Sequence, residues 1–154
     1  MTLAPAPTAP AAAWDLDVAR AERLTGGTWP GAVRRVRLQG AAIDSRVATP
    51  SCIFACIVGE RADGHDYAVK AAESGAALIL ASRMIVASVP VLVVADVAAA
   101  LLALAGELRR RLTGCTWIGV VGSNGKTTTK GLLAAACAGT GLAVHATRGN
   151  LNNH

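Results

Sequence analysis

Residues 119–130 read GVVGSNGKTTTK and stand between an apolar run and an alanine-rich one. The preceding TWIGVVG, 116–122, has the make-up of a buried strand. The following KTTTKGLLAAACAGTG, 126–141, has that of a helix. A loop joining the two presents consecutive unpaired N–H groups at a helix N-terminus, which attract oxyanions. Gly122 and Gly125 allow the backbone to wrap close to phosphate oxygens, where a Cβ would intrude. Lys126, the candidate catalytic residue, supplies a point charge for the β- and γ-oxygens, and Thr127 a hydroxyl for Mg²⁺. With Ser123, Asn124 and Thr128 they form the candidate ATP-binding set. The long phosphate-loop pattern asks for glycine at 120, where this chain has Val120, so the loop is the short GxxGKT form. The competing reading is a tight strand-to-helix turn carrying a surface lysine. Lys130, one turn further on, reads as a solvated charge.

Outward from the loop, LAVHATRG, 142–149, reads as a further strand, with His145 structural and Thr147 on the approach to a polar run. Asn150, Asn152 and Asn153 follow that strand end, where ligands collect in α/β sheets. Their amides can bind a peptide or sugar without adding charge, or form an ordinary polar loop. Before the loop, TGC marks a hinge and a domain boundary near Thr113. The expected organisation is an Ala/Pro-rich leader over 1–13, a small mixed α/β domain over 14–113, and over 114–154 the opening strand–loop–helix–strand of a parallel-sheet ATP-binding domain. About forty residues cannot enclose a core of their own, so the chain reads as a fragment.

Within 14–113, WDLDVARAERLTGG predicts a short helix with Asp15 as its cap and Gly26 and Gly27 as its stop. VRRVRLQG alternates like a strand, and AAIDSRVATP is a polar turn region after an apolar entry. CIFACIVG and AALILAS read as buried strands. VPVLVVAD is another, which Pro90 places at an edge or strand entry. DYAVKAAESGA predicts a helix with Tyr67, Ala71 and Ala72 on one face and Asp66 as cap. The run from Asp96 to Leu112 predicts a long helix, capped by Asp96, with Val97, Leu101, Leu104 and Leu108 in one stripe and three arginines at its end.

Apolar residues make up 53% of the 154, which suits alanine-rich helices on a sheet and excludes disorder. The run from Val89 to Leu104 is broken by Pro90 and Asp96 and is a poor membrane span. With no basic start and no continuous apolar segment at the N-terminus, a cytoplasmic location is the expectation. The net charge of +5 rests mainly on arginine, in RRVR from Arg34 and RRR from Arg109, and aromatics are too few to stack bases. A solvated strand edge and a helix C-terminus explain these runs better than nucleic-acid binding, and phosphate ligands gain from the charge. Cys52 and Cys56 share a strand face, no C-x-x-C pair exists, and buried reduced thiols are expected rather than a metal site.

GSNGKTTTK resembles the ATP loop of the Mur ligase family, whose short form is GTNGKT. Residues 43–80 resemble that family's N-terminal domain, in which DSR is followed by Pro-Gly-Asp-Leu-Phe, a glycine, DGHDF and a helix ending in Gly-Ala. Residues 89–112 look like the strand and helix that close it. TRGNLNNH, 147–154, resembles the segment of the branch that adds D-Ala-D-Ala to UDP-MurNAc-tripeptide. The branch adding the third amino acid, and a UDP-sugar-binding module without catalysis, stay open. Ser51 and Cys52 depart from the pattern, standing where Gly and Asp are usual, and Tyr67 replaces Phe.

The resemblance implies that the DSR region contacts the uridine diphosphate part of the substrate. Ser45 would bond a uracil or phosphate oxygen, and Arg46 would fork onto phosphate. Internal pairing of Asp44 with Arg46 is the alternative. His65 is either a substrate contact or a satisfied loop histidine. The resemblance further implies a monomeric ligase in which ATP phosphorylates the tripeptide carboxylate and the amine of D-Ala-D-Ala attacks the acyl phosphate. A later acidic metal ligand, the adenine contacts and the dipeptide-binding domain are not among these residues. The 154 residues by themselves are therefore expected not to ligate. Turnover by this chain given ATP and both substrates would contradict that.

Overall fold

The computed structural model describes residues 14–33, 35–60 and 62–147. They fall into two compact units that meet in sequence at Thr113 and Gly114.

In the first unit, strand β1 (Trp14–Asp17) runs into helix α1 (Val18–Thr25). Helix α1 starts later than the sequence suggests, and Asp17 rather than Asp15 is its cap, accepting from the Arg20 amide at 3.1 Å. The reason is pairing: Trp14–Asp17 lie antiparallel to β2 (Arg35–Leu38), which holds Asp15 in a ladder. Gly26 ends α1 in the left-handed conformation, as expected of a helix stop. On β2 the alternation is the expected one, with Val36 and Leu38 buried and Arg35 and Arg37 exposed.

The centre is a four-stranded, wholly parallel sheet in the order β3 (Gly40–Ala42), β4 (Cys52–Ala55), β5 (Leu78–Ala81), β6 (Val91–Val93). Period-two alternation divides its side chains between two cores. Ile53, Ala55, Leu78, Leu80 and Leu92 pack with α1, β1, β2 and α3 (Val97–Arg111). Cys52, Phe54, Cys56, Ile79 and Ala81 pack on the other face, with Ala68 and Ala71 of α2 (Ala68–Glu73). Each fully buried Leu, Ile or Phe contributes about 1.5–3 kcal/mol, and both faces of β4 and β5 are filled. Strand β3 has no strong pattern of its own: Gly40, Ala41 and Ala42 become a strand by pairing with Cys52, Ile53 and Phe54. β6 is an edge strand that begins just after Pro90.

Cys52 of β4 and Cys56 just after it are buried and reduced, and burial pushes the Cys56 thiol up to about 12. Among the described residues no His/Cys/Asp/Glu group is placed to hold a metal. Ser51 stands where the resembled pattern has glycine, and its φ is +64°. That left-handed backbone is one a side chain adopts at a cost of about 1–2 kcal/mol.

Helix α3 is capped by Asp96, which accepts from the Ala99 amide at 2.9 Å. Its buried face is Val97, Ala100, Leu104 and Glu107, with Leu101 and Leu108 half-buried beside it. The stripe is thus rotated toward α1, and it carries a carboxylate where the sequence pattern has only leucines. Glu107 is 5% exposed. It accepts from Arg20 of α1 at 2.9 Å, Arg110 at 2.8 Å and Arg111 at 3.1 Å. The arginine run therefore opposes the helix dipole, and Arg110 and Arg111 share Glu107 with Arg20, which crosses from α1.

The second unit supplies α4 (Lys126–Gly139). Neither 116–122 nor the described part of 142–149 is a strand, contrary to expectation. A strand exists only with a neighbour to take its N–H and C=O groups, and the described residues give these segments none. Trp117, Ile118 and Val121 are exposed, and no residue of α4 is buried. No described helix is long and apolar enough to cross a membrane.

The guanidinium of Arg20, with those of Arg110 and Arg111, holds the Glu107 carboxyl down at about 2. A carboxyl lowered on folding stabilises above its unfolded pKa near 4.3, and that contribution is lost as pH falls from there toward 2. Glu107→Gln should lower the melting temperature at pH 7 by a few degrees and flatten its decline between pH 4.5 and 2. Calorimetric scans of the two chains across that range check it.

Candidate functional site

Parallel strands buried on both faces leave their carboxyl ends as the place where a ligand can reach the backbone. The chain leaves β3 through Ile43 and Asp44 into a 3₁₀ turn, Ser45–Val47. It leaves β4 through Cys56 and Ile57 into a tight loop, and then a second 3₁₀ turn, Gly64–Tyr67, leads into α2. Between these exits lies a cleft of about 770 Å³, lined by Asp44, Ser45 and Arg46 from one side and by Ile57, Gly59, Glu60 and Gly64 from the other. Tyr67 and Lys70 complete the wall. The DSR stretch and Gly64 of DGHD, about twenty residues apart in sequence, thus share one cavity.

Ser45 is 6% exposed and turned to the cleft. Arg46 is exposed but already paired: its Nε donates to both Asp44 oxygens at 3.0 and 3.1 Å and its Nη2 to Oδ2 at 2.7 Å. Asp44 also caps the turn, accepting from the Arg46 amide at 2.9 Å. These bonds hold the Asp44 carboxyl at about 2. The internal pairing weighed from the sequence is the one the structure contains. Lys70 is the other cation of the wall. Sequence reasoning passed over it; its spacing three residues after Tyr67, on the exposed face of α2, was the available signal.

His65 does not line the cleft. Its ring is buried, its Nδ1 lies 2.5 Å from Asp63 Oδ1, and its Nε2 lies 3.0 Å from both the amide and the hydroxyl of Ser82. Asp63 caps the second 3₁₀ turn through the His65 amide at 2.9 Å, while α2, for which the sequence suggests Asp66 as cap, starts after Tyr67 with no side-chain cap. Tyr67 is exposed at the cleft rather than packed with Ala71 and Ala72; Ala68 takes the inward position because the 3₁₀ turn rotates the start of the helix.

In the second unit, Gly125 precedes α4 with φ +74° and Gly122 has φ +155°. A Cβ built on Gly125 meets nothing within 4 Å, so its glycine answers to backbone conformation and to open space outside the loop. Lys126 Nζ donates to the carbonyls of Gly122 at 2.6 Å and Ser123 at 3.1 Å, folded over the loop it would share with phosphate. Ser123, Asn124, Thr127 and Thr128 are exposed around it. An open, left-handed turn into a helix, with ammonium and hydroxyl adjacent, fits a nucleotide triphosphate and its Mg²⁺. Lys130 is not the solvated charge expected: its Nζ donates to the Thr147 carbonyl at 2.5 Å, tying α4 to the following segment. Asn150, Asn152 and Asn153 lie outside the described residues.

Residues 37–107 match the family described as Mur ligase family, catalytic domain; that span covers the cleft and ends before the phosphate loop. The UDP-N-acetylmuramoyl-tripeptide--D-alanyl-D-alanine ligase of Bacillus subtilis is 42% identical over 124 residues, covering 76% of this chain and 26% of that protein. The UDP-N-acetylmuramoyl-L-alanyl-D-glutamate--2,6-diaminopimelate ligase of Geobacillus thermodenitrificans is 46% identical over 91 residues, covering 56% of this chain and 18% of that one. A crystal structure of MurF from Acinetobacter baumannii superposes with a TM-score of 0.74 at 30% identity, covering 94% of this chain and 31% of that one. The chain spans about a quarter to a third of the length of the curated D-alanyl-D-alanine ligases it matches.

A Cβ on Gly64 would stand 2.8 Å from both the N and the O of Ile57 and 2.9 Å from Cys56 Cα. Backbone cannot yield as a side chain does, so Gly64→Ala should destabilise by about 1–3 kcal/mol. Denaturant midpoints of the two chains measure it.

Proposed function

The chain belongs to the Mur ligase family, and on that premise we propose that it forms the N-terminal portion of an ATP-dependent ligase adding D-Ala-D-Ala to UDP-MurNAc-tripeptide. What carries the reading is the cleft at the carboxyl ends of β3 and β4, because a phosphate loop alone is common to many NTPases. Ser45, 94% buried and facing that cleft, offers its hydroxyl to the uridine diphosphate part of the substrate. Lys70 and Arg46 supply positive charge beside the diphosphate, Arg46 through the one Nη it does not give to Asp44.

The phosphate loop takes ATP. Amides at the start of α4 and the Lys126 ammonium would hold the phosphates, and the Thr127 hydroxyl would be a ligand to Mg²⁺. Lys126 exchanges its bonds to the Gly122 and Ser123 carbonyls for γ-phosphate oxygens. Its charge then offsets the repulsion between those oxygens and the tripeptide carboxylate that attacks the γ-phosphorus. ADP leaves, and the amine of D-Ala-D-Ala displaces phosphate from the resulting acyl phosphate. Mg²⁺, when bound, screens the same oxygens. Asn150, Asn152 and Asn153 are proposed to contact the peptide. Such a reaction belongs in the cytoplasm, where ATP is available, and the protein is proposed to act as a monomer. The branch adding the third amino acid shares the loop and the cleft. The D-Ala-D-Ala reading is supported by relatives that cover 76% or more of this chain, against 56% for the diaminopimelate ligases.

Titration calorimetry should show UDP binding to the chain at micromolar to millimolar levels, weakened several-fold in Ser45→Ala and unchanged in Lys126→Met. ATP binding should respond in the opposite manner. Equal loss in both variants, or no binding of either nucleotide, would reject the two-site reading.

A further inference from the structure

Asp63, His65 and Ser82 stand in the order carboxylate, imidazole, hydroxyl, at 2.5 and 3.0 Å. That sequence of donors and acceptors is shared with hydrolytic triads, but here the imidazole is not available as a base. Asp63 accepts from Nδ1–H, which leaves Nε2 as the acceptor, and the backbone N–H of Ser82 donates to it at 3.0 Å. The ring is buried and does not reach the cleft. Its bonds have a structural direction instead. His65 belongs to the 3₁₀ turn that follows the cleft loop, while Ser82 directly follows the carboxyl end of β5.

Among the described residues, the loop after β4 that leads into this turn has few other anchors. Gly59 donates to Ala62 O at 2.9 Å and Gly64 to Ile57 O at 2.9 Å, both bonds internal to the loop. Val58 and Asp63 form an isolated bridge across it. Ties to the rest of the unit come through Asp63, whose other oxygen accepts from Arg83 at 3.0 Å, and through the imidazole. Both lead to residues 82 and 83, at the end of β5. Ile57, Gly59, Glu60 and Gly64 wall the cleft, so the position of that wall relative to Ser45 follows from this clamp.

We propose that His65 is a positioning residue for the substrate cleft: locked in the Nδ1–H tautomer by Asp63, it accepts the Ser82 amide through Nε2 and so fixes the loop after β4 to the end of β5. This deepens the uridine-nucleotide reading of the cleft and rests on it. The two ring nitrogens can be tested separately. An asparagine at 65 keeps a donor near Nδ1 and has nothing at Nε2, whereas a glutamine places an acceptor near Nε2.

The test is UDP titration of the full 154-residue chain and its His65→Asn and His65→Gln variants, with amide hydrogen exchange at Val58, Gly59 and Gly64. Loss of one buried hydrogen bond corresponds to about tenfold in affinity. His65→Asn should weaken UDP about tenfold and accelerate exchange at the three amides, and His65→Gln should recover most of both. Binding within twofold of the parent with unchanged exchange in His65→Asn overturns the proposal, as does equal loss in both variants. A nitrogen-15 spectrum of the parent decides it even if a variant fails to fold: an unprotonated, hydrogen-bonded Nε2 is expected, and a protonated Nε2 refutes the clamp. Should the parent not bind UDP, the uridine-nucleotide reading fails by itself. Exchange rates and the ring tautomer then still decide the role of His65.

Discussion

A parallel ladder filled on both faces leaves chemistry only one place to occur. Strands β4 and β5 bury every residue, so no side chain on them can meet a substrate, and no polar group is wasted there. The chain must become polar where it exits the sheet, and those exits all lie at one edge because the strands run the same way. Asp44, Ser45 and Arg46 after β3, the glycine-bearing loop after β4, and Ser82 after β5 are neighbours for that reason. The cleft is a consequence of the topology, and its residues are those that the buried strands exclude.

The polar groups at this edge are largely occupied with one another. Asp44 spends its carboxylate on Arg46, and Asp63 shares its own among the His65 amide, the His65 ring and Arg83. Both carboxyls are held at about 2 by these bonds, the His65 amide leading for Asp63 and the Arg46 side chain for Asp44. Such networks shape a site by stiffening the loops that form it. On the proposed reading, ligand recognition falls to fewer groups, chiefly the Ser45 hydroxyl, Lys70 and the donors Arg46 keeps.

Positive charge is arranged in two different ways in the one chain. At the cleft, side chains on short turns carry the charge. At Gly122–Lys126, the backbone does so, with glycine conformations that open a helix N-terminus and a lysine that covers it. The second unit has no buried residue in α4 to brace this loop; the Lys130 contact to Thr147 is a tether between helix and following segment. A unit this small buries little apolar surface, and its loop geometry comes from local conformation.

Local chemistry was legible from residues alone. The buried strands at 52–55 and 78–81, the Asp96 cap, the Gly26 stop and the glycine-rich turn into α4 follow from side-chain type, period and φ preference, which act within a few residues. What depended on partners far along the chain was not. Trp14–Asp17 became a strand because β2 lies beside it, and Gly40–Ala42 because β4 does, while 116–122 has no strand neighbour among the described residues and is irregular. Glu107 turned inward because Arg20, eighty-seven residues away, meets it. His65 joined Ser82 rather than the cleft for the same reason. Hydrogen bonds and ion pairs between distant residues are satisfied only once the chain is folded, so the tertiary structure alone assigns them.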